Sequence, residues 1–303
     1  MKTVIIIGFD YRGTKTLPGI PIDLYYVYNT ILKIKPDKVK VITDIVSDYD
    51  PLELIEAIID EIANNDIYNF IKVLKERHQY ELYNSLESFK NIIKETINES
   101  DQIFFYYSGH SKNGDLLLPS IQNGWSGSKN HSNKDDSYNH LSRNEYSNRV
   151  GINEIKQLVI DGSKTNSDIF FVFDCCDFTG LDLPFILRKG RFYLNRDCNV
   201  NEHTFNTQNI LCIGSTLPHE ISGATGKGSL FTSSLCKLLV IGERSLDKVS
   251  TIVGENVSKF NKQTITITSS KSDIKLVPSW IYGLSVDLYV DHINKTLSIR
   301  HWN

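Results

Sequence analysis

Two stretches decide how this chain reads: Phe104-Phe105-Tyr106-Tyr107-Ser108-Gly109-His110 and Phe170-Phe171-Val172-Phe173-Asp174-Cys175-Cys176. Each is a short, continuous apolar run that stops abruptly at small polar residues. Runs of this kind read as strands buried on both faces, the pattern of a parallel sheet in an α/β protein. In such sheets the ligand crevice lies beyond the carboxyl ends of the strands. One of these ends carries a histidine and the other a thiol. If the two strands are neighbours, a nucleophile and a base meet at one edge of the sheet.

Around this pair the chain alternates strand and helix. Val4–Gly8 reads as a first strand, Pro21 opens a helix running to about Lys35, and Val39–Asp44 is a second strand. Together they make one βαβ unit. Residues 50–100 read as helical, from apolar stripes such as Leu54, Ile55, Ile58 and Ile62. Residues 121–149 form a long polar loop carrying His131 and His140, which read as solvated. Helices are expected at Gly151–Gly162, Leu230–Ile241 and Ser245–Phe260, with strands at residues 209–214, Thr264–Thr268 and Leu297–Arg300.

Bulk properties narrow the class. The 303 residues carry a formal charge of −3, which argues against nucleic acid or an acidic membrane as main partner. No apolar run has the length of a membrane span, and the opening strand is too soon interrupted for a signal peptide. Five cysteines, an odd count with two adjacent, suit free thiols in a reducing compartment, so the expected location is the cytoplasm. The segment Gly223-Ala224-Thr225-Gly226-Lys227-Gly228-Ser229 lacks Walker-loop spacing, and a GxGxxG fingerprint is missing. A cysteine nucleophile needs an exposed strand-end position and a histidine to manage protons. Cys176 and His110 hold such positions. The competing reading makes Cys175 and Cys176 buried small hydrophobes.

At these positions the sequence resembles the metacaspases, within the caspase-like cysteine peptidases. Tyr107-Ser108-Gly109-His110 is similar to the family's histidine motif, and Asp174-Cys175-Cys176 with Leu181-Asp182-Leu183-Pro184 to its cysteine motif. Tyr11-Arg12-Gly13-Thr14, Asp23 and Gly228-Ser229-Leu230-Phe231-Thr232 resemble further segments in the right order. The resemblance implies a single caspase-like domain, a three-layer α/β/α sandwich around a mostly parallel sheet of about six to eight strands. Residues 1–187 would be large-subunit-like, 188–205 a basic linker with a self-cleavage site, and 206–303 small-subunit-like.

The same resemblance implies roles. Cys176 attacks the scissile carbonyl, His110 carries the proton, and the backbone N–H groups of Gly109 and Cys176 hold the oxyanion. Asp23 and Asp174 match the acids of a pocket for basic side chains. Arg12 is the residue that would serve an Asp-specific pocket instead. The substrates are then proteins or peptides with Arg or Lys before the cleaved bond, and the enzyme is a monomer. Asp135, Asp136 and Asp182 match carboxylates that bind calcium in the family.

Several positions depart from the family pattern. Ser111 follows His110 where glycine is usual. Asp177 follows Cys176 where histidine is usual, and an anion there opposes thiolate formation. The expected further aspartate after Leu118-Pro119 has no counterpart. Counting back from Asp182 selects Cys175 as nucleophile; counting forward from Asp174 selects Cys176. These departures define the alternative, a catalytically weak or inactive relative acting as a binding or regulatory protein.

Overall fold

The structure is a computed structural model and describes residues 1–11, 17–45, 61–119, 148–198, 207–225, 228–243, 245–259 and 262–274. In chain order the elements are β1 (Lys2–Gly8), α1 (Ile20–Leu32), β2 (Lys38–Thr43), α2 (Glu61–Glu76), β3 (Tyr80–Leu82), α3 (Leu86–Ile97) and β4 (Gln102–Gly109). Then follow β5 (Ser111–Lys112), β6 (Asp115–Leu118), β7 (Asn148–Gly151), α4 (Ile152–Gly162), β8 (Asp168–Cys175), β9 (Phe185–Arg188) and β10 (Arg191–Leu194). The chain continues through β11 (Asn209–Gly214), β12 (Ala224–Thr225), β13 (Gly228–Ser229), α5 (Leu230–Val240), α6 (Leu246–Ser258) and β14 (Thr266–Ser269).

Among the described residues the central sheet has nine strands in the order β10-β9-β14-β11-β8-β4-β1-β2-β3, more than the expected number of about six to eight. From β11 to β3 every neighbouring pair is parallel. Beyond β11 the pairs are antiparallel. The added strands were hard to read because they are short. Tyr80-Glu81-Leu82 lacks an apolar run, yet it pairs with β2 at Val41–Thr43.

The basic stretch expected to begin a linker at residue 188 starts at the end of β9 and takes in the turn and second strand of the hairpin β9–β10. Arg188 pairs with Arg191, and the intervening Lys189 and Gly190 have φ of +48° and +75°. Positive φ at both central residues matches the right-handed strand twist of a two-residue hairpin. The charges of Arg188, Lys189 and Arg191 hide this pairing from the sequence pattern. Residues 199–206, the strand expected at 297–300, and Leu54, Ile55 and Ile58 lie outside the described residues.

Alternation along the strands builds the three layers. Val4, Ile6, Phe104, Tyr106, Phe170 and Val172 share one apolar cluster with α1, α2, α5 and α6. Ile5, Ile7, Phe105, Tyr107, Phe171 and Phe173 share the other with α3 and α4. The protein is therefore an α/β/α sandwich, with both faces of the sheet buried. Helix starts are set locally: Pro21 lies in the first turn of α1, and the Ser85, Ser229 and Ser245 hydroxyls cap α3, α5 and α6. Among the described residues no helix is long and apolar enough to cross a membrane.

One strand end is closed by a ring. A Cβ at Gly214 would lie 2.1 Å from the fully buried ring of Phe178, two residues past Cys176. Gly214→Ala is expected to destabilise the fold by about 1–3 kcal/mol through overpacking, read as a lowered melting temperature.

Candidate active site

The two stretches that opened the sequence reading are adjacent parallel strands. β4 and β8 pair with Ser108 opposite Asp174 and Gly109 opposite Cys175. His110 and Cys176 follow as the next residue of each chain, at the carboxyl edge of the sheet. The register therefore places the expected histidine and thiol at neighbouring strand ends.

Alternation also separates the two cysteines. Cys175 is 1% exposed and packs in the α3/α4-side cluster with Phe173 and Phe178. Burial pushes its thiol well above the usual range. Its backbone is pinned: its N–H donates to Ser215 Oγ at 3.1 Å, and its carbonyl accepts from Thr216 Oγ1 at 2.9 Å. Cys176 is only partly buried, and its Sγ accepts the Ser222 N–H at 3.3 Å. Its thiol is also pushed up, chiefly by burial, while Ser222 pulls it down and Asp174 and then Asp177 push it up. All five cysteines are free.

Asp177 is engaged elsewhere than the sulfur. With φ +48°, it accepts the Asn113 N–H at 2.6 Å and the His219 N–H at 2.7 Å on its two carboxylate oxygens. Its own N–H donates to the Glu220 carbonyl at 2.8 Å. It ties the turn after Cys176 to the β5–β6 turn and to the segment that leads to Ser222. Ser111, the other departure, donates its hydroxyl to the Cys176 carbonyl.

Asp23 and Asp174 are brought together beside Cys176. Asp23 lies in the first turn of α1, and Ser229 and Thr232 lie at the start of α5. The Asp23 Oδ1 accepts the Ser229 N–H at 2.8 Å, and its Oδ2 faces the Ser108 hydroxyl at 3.4 Å. Asp174 accepts from Ser222 Oγ at 2.7 Å and from Thr232 Oγ1 at 2.6 Å. Two helix N-termini thus face the acids, which favours negative charge there. Gly228 is required in this wall: its φ is +91°, and a Cβ would stand 2.8 Å from Asp23 Oδ1. Burial and then the neighbouring Asp174 push the Asp23 carboxyl well up; burial also raises Asp174.

A profile for the caspase domain matches residues 1–278. The chain belongs to the caspase-domain family. The family implies cysteine peptidase chemistry on protein substrates. Similar solved structures include caspase-1 from Spodoptera frugiperda, 13% identical over 89% of this chain and 87% of that one, with a TM-score of 0.45. A protein from Geobacter sulfurreducens is 10% identical over 92% and 96%, with a TM-score of 0.48. The structure of pro-sf-caspase-1 is 14% identical over 89% and 87%, with a TM-score of 0.46. No curated protein matches the sequence.

Within this caspase domain the calcium expectation meets one described carboxylate. Asp182 faces Asn153 Nδ2 at 3.3 Å, and its backbone N–H and carbonyl are taken by Asn153 Oδ1 and Lys156 Nζ at 3.0 and 2.8 Å. Lys156 also interacts electrostatically with Asp182. A neighbouring ammonium disfavours a divalent cation at that carboxylate. Among the described residues no group of three or more His, Cys, Asp or Glu gathers as a metal site. Asp135, Asp136 and Arg12 lie outside the described residues.

Sequence reading missed Ser222, Thr232 and Gln263. Ser222 touches both the thiol and Asp174, and Gln263 holds Ser222 Oγ and the Gly223 N–H at 3.3 and 3.2 Å. Thr232 lay inside a quoted motif; Ser222 and Gln263 carry no local signal. In the folded protein, iodoacetamide is expected to modify Cys176 before Cys175, Cys212 and Cys236, which peptide mapping by mass spectrometry checks.

Proposed function

We propose that the protein is a cysteine endopeptidase that cleaves after Arg or Lys, with Cys176 as nucleophile and His110 as proton carrier. The observation that carries the specificity is the buried pair Asp23 and Asp174, set beside the thiol and between two helix N-termini. A guanidinium or ammonium is the partner that such a pair lacks. It reaches the pair from the Cys176 side, displacing the Ser222 hydroxyl from Asp174.

The chemistry runs from a neutral thiol, because burial raises Cys176. As Sγ attacks the carbonyl carbon, its proton passes to the His110 imidazole, and the Ser222 N–H supports the developing thiolate. The oxyanion is taken by backbone N–H groups of Gly109 and Cys176. The imidazolium then protonates the leaving amine. Water, deprotonated by His110, attacks the thioester carbonyl carbon, the C–S bond breaks to free the carboxyl product, and the Cys176 sulfur takes the proton back from His110. Calcium belongs to this reading only as an activator whose candidate ligands are Asp135 and Asp136; Asp182, with the Lys156 ammonium beside it, does not fit as a ligand, and no step is routed through the ion. Self-cleavage falls after Arg196, exposed in the turn that follows the paired hairpin, whose own backbone is held in the sheet.

The test uses fluorogenic Arg, Lys and Asp peptides with and without calcium. Wild type is expected to cleave the Arg and Lys peptides, faster with calcium, and to cut itself after Arg196. Cys176→Ala and His110→Ala abolish both. Asp23→Asn lowers kcat/KM for Arg by about thirtyfold or more, the effect of removing one partner from a buried charged pair. It also raises the melting temperature. The folded state holds a proton on Asp23 that an unfolded chain releases near 3.8, so wild-type stability falls as pH rises above that value. The stability gain of Asp23→Asn is therefore absent below about 3.8 and grows above it. No cleavage in any condition would favour the binding or regulatory role instead.

A further inference from the structure

Tyr11 has a set of contacts that its place in a surface-bound loop does not require. It follows β1 and has φ +55°, in the left-handed region that a bulky residue occupies only when its surroundings hold it there. The holding group is Asp44, just past the neighbouring strand β2. Its Oδ1 accepts the Asp10 N–H at 2.7 Å and its Oδ2 the Tyr11 N–H at 2.8 Å. Both oxygens of one carboxylate are thus spent on two successive backbone donors at the bend.

Set in this way, the Tyr11 side chain runs across the sheet edge to His110. The two rings lie 4.6 Å apart, tilted by 44°. The phenol oxygen accepts the His110 N–H at 2.9 Å and donates to the Leu117 carbonyl at 2.6 Å. The neighbouring Tyr107 hydroxyl donates to the His110 carbonyl at 2.7 Å. Both backbone polar groups of His110 therefore meet phenols, its carbonyl also accepting the Leu117 N–H at 3.0 Å, and its ring leans on one of them. The intervening Gly109 leaves room for this: a Cβ there would stand 2.6 Å from the Tyr11 oxygen and 2.8 Å from that of Tyr107. Tyr11 itself is 2% exposed.

We propose that Tyr11, locked in a left-handed bend by Asp44, is a positioning residue that fixes the backbone and ring plane of His110 for proton exchange with Cys176. The proposal rests on the peptidase reading for its consequence and on the geometry alone for its mechanism. Proton transfer tolerates little misplacement of the base, so a small loosening of His110 lowers the chemical step more than substrate binding.

Two variants of the full chain test it, each compared with wild type and His110→Ala. Tyr11→Phe keeps the ring and removes the hydroxyl; Asp44→Asn keeps Tyr11 and replaces one acceptor by a donor. Each is expected to lower kcat for an Arg peptide by about tenfold to a hundredfold with KM nearly unchanged. Each is also expected to move the pH midpoint of Cys176 alkylation by iodoacetamide toward that of His110→Ala. A purely structural role would lower the melting temperature and leave that midpoint where it is, which overturns the proposal. Wild-type kcat and midpoint in Tyr11→Phe overturn it as well, and the same result in Asp44→Asn overturns the lock. The alkylation profile needs no substrate, so it decides the positioning role even if no peptide is cleaved.

Discussion

The parallel pairing of β4 with β8 is the constraint on which the rest of the site depends. With Gly109 opposite Cys175, a single register fixes the height of His110 and Cys176 at the sheet edge. A slip of one residue would exchange the two faces of β8 and send Cys176 into the apolar cluster that now holds Cys175. That slip is opposed by the interlocked aromatic rings of the two strands, such as Phe104 with Phe170 and Phe105 with Phe171, at 5.4 and 5.5 Å. Packing energy deep in the sheet therefore sets the chemistry at its rim.

On the same face as Cys176, the acid pair works against stability. Asp23 and Asp174 are buried, mutually repelling, and raised in pKa. They are tolerated because hydroxyls, the Ser229 N–H and two helix N-termini offset part of the cost. Groups held in this way are common where a charged ligand completes the site. The caspase-domain family membership accounts for the fold and for cysteine peptidase chemistry, whereas the proposed preference for Arg or Lys rests on these two carboxylates.

Much of this was legible in the sequence, for reasons that also explain the gaps. The runs 104–107 and 170–173 are buried on both faces, so their apolar continuity survives as a direct signal of parallel strands. The helices α4, α5 and α6 were readable at their starts, whereas the Ser85-capped start of α3 was hidden in a stretch that reads as helical from 50 to 100. The short strands β3, β9 and β10 were not, since three or four residues with charges do not produce a period. Asp177 shows the same limit at the site. Beside the nucleophile in sequence, it reads as an anion opposing the thiolate; in space its carboxylate binds two backbone N–H groups, and burial outweighs it at Cys176. Ser222 and Gln263 reach the thiol and Asp174 through tertiary contacts alone, which no local pattern encodes.

The central claim, a Cys176 nucleophile beside an acidic pocket, is tested most directly by covalent labelling with a peptidyl-arginine chloromethyl ketone, set against the matching aspartyl reagent. A single adduct on Cys176 from the arginyl reagent, absent with the aspartyl reagent and lost in Asp23→Asn, is the result the account predicts. An adduct on Cys175, or equal labelling by the two reagents, would contradict it.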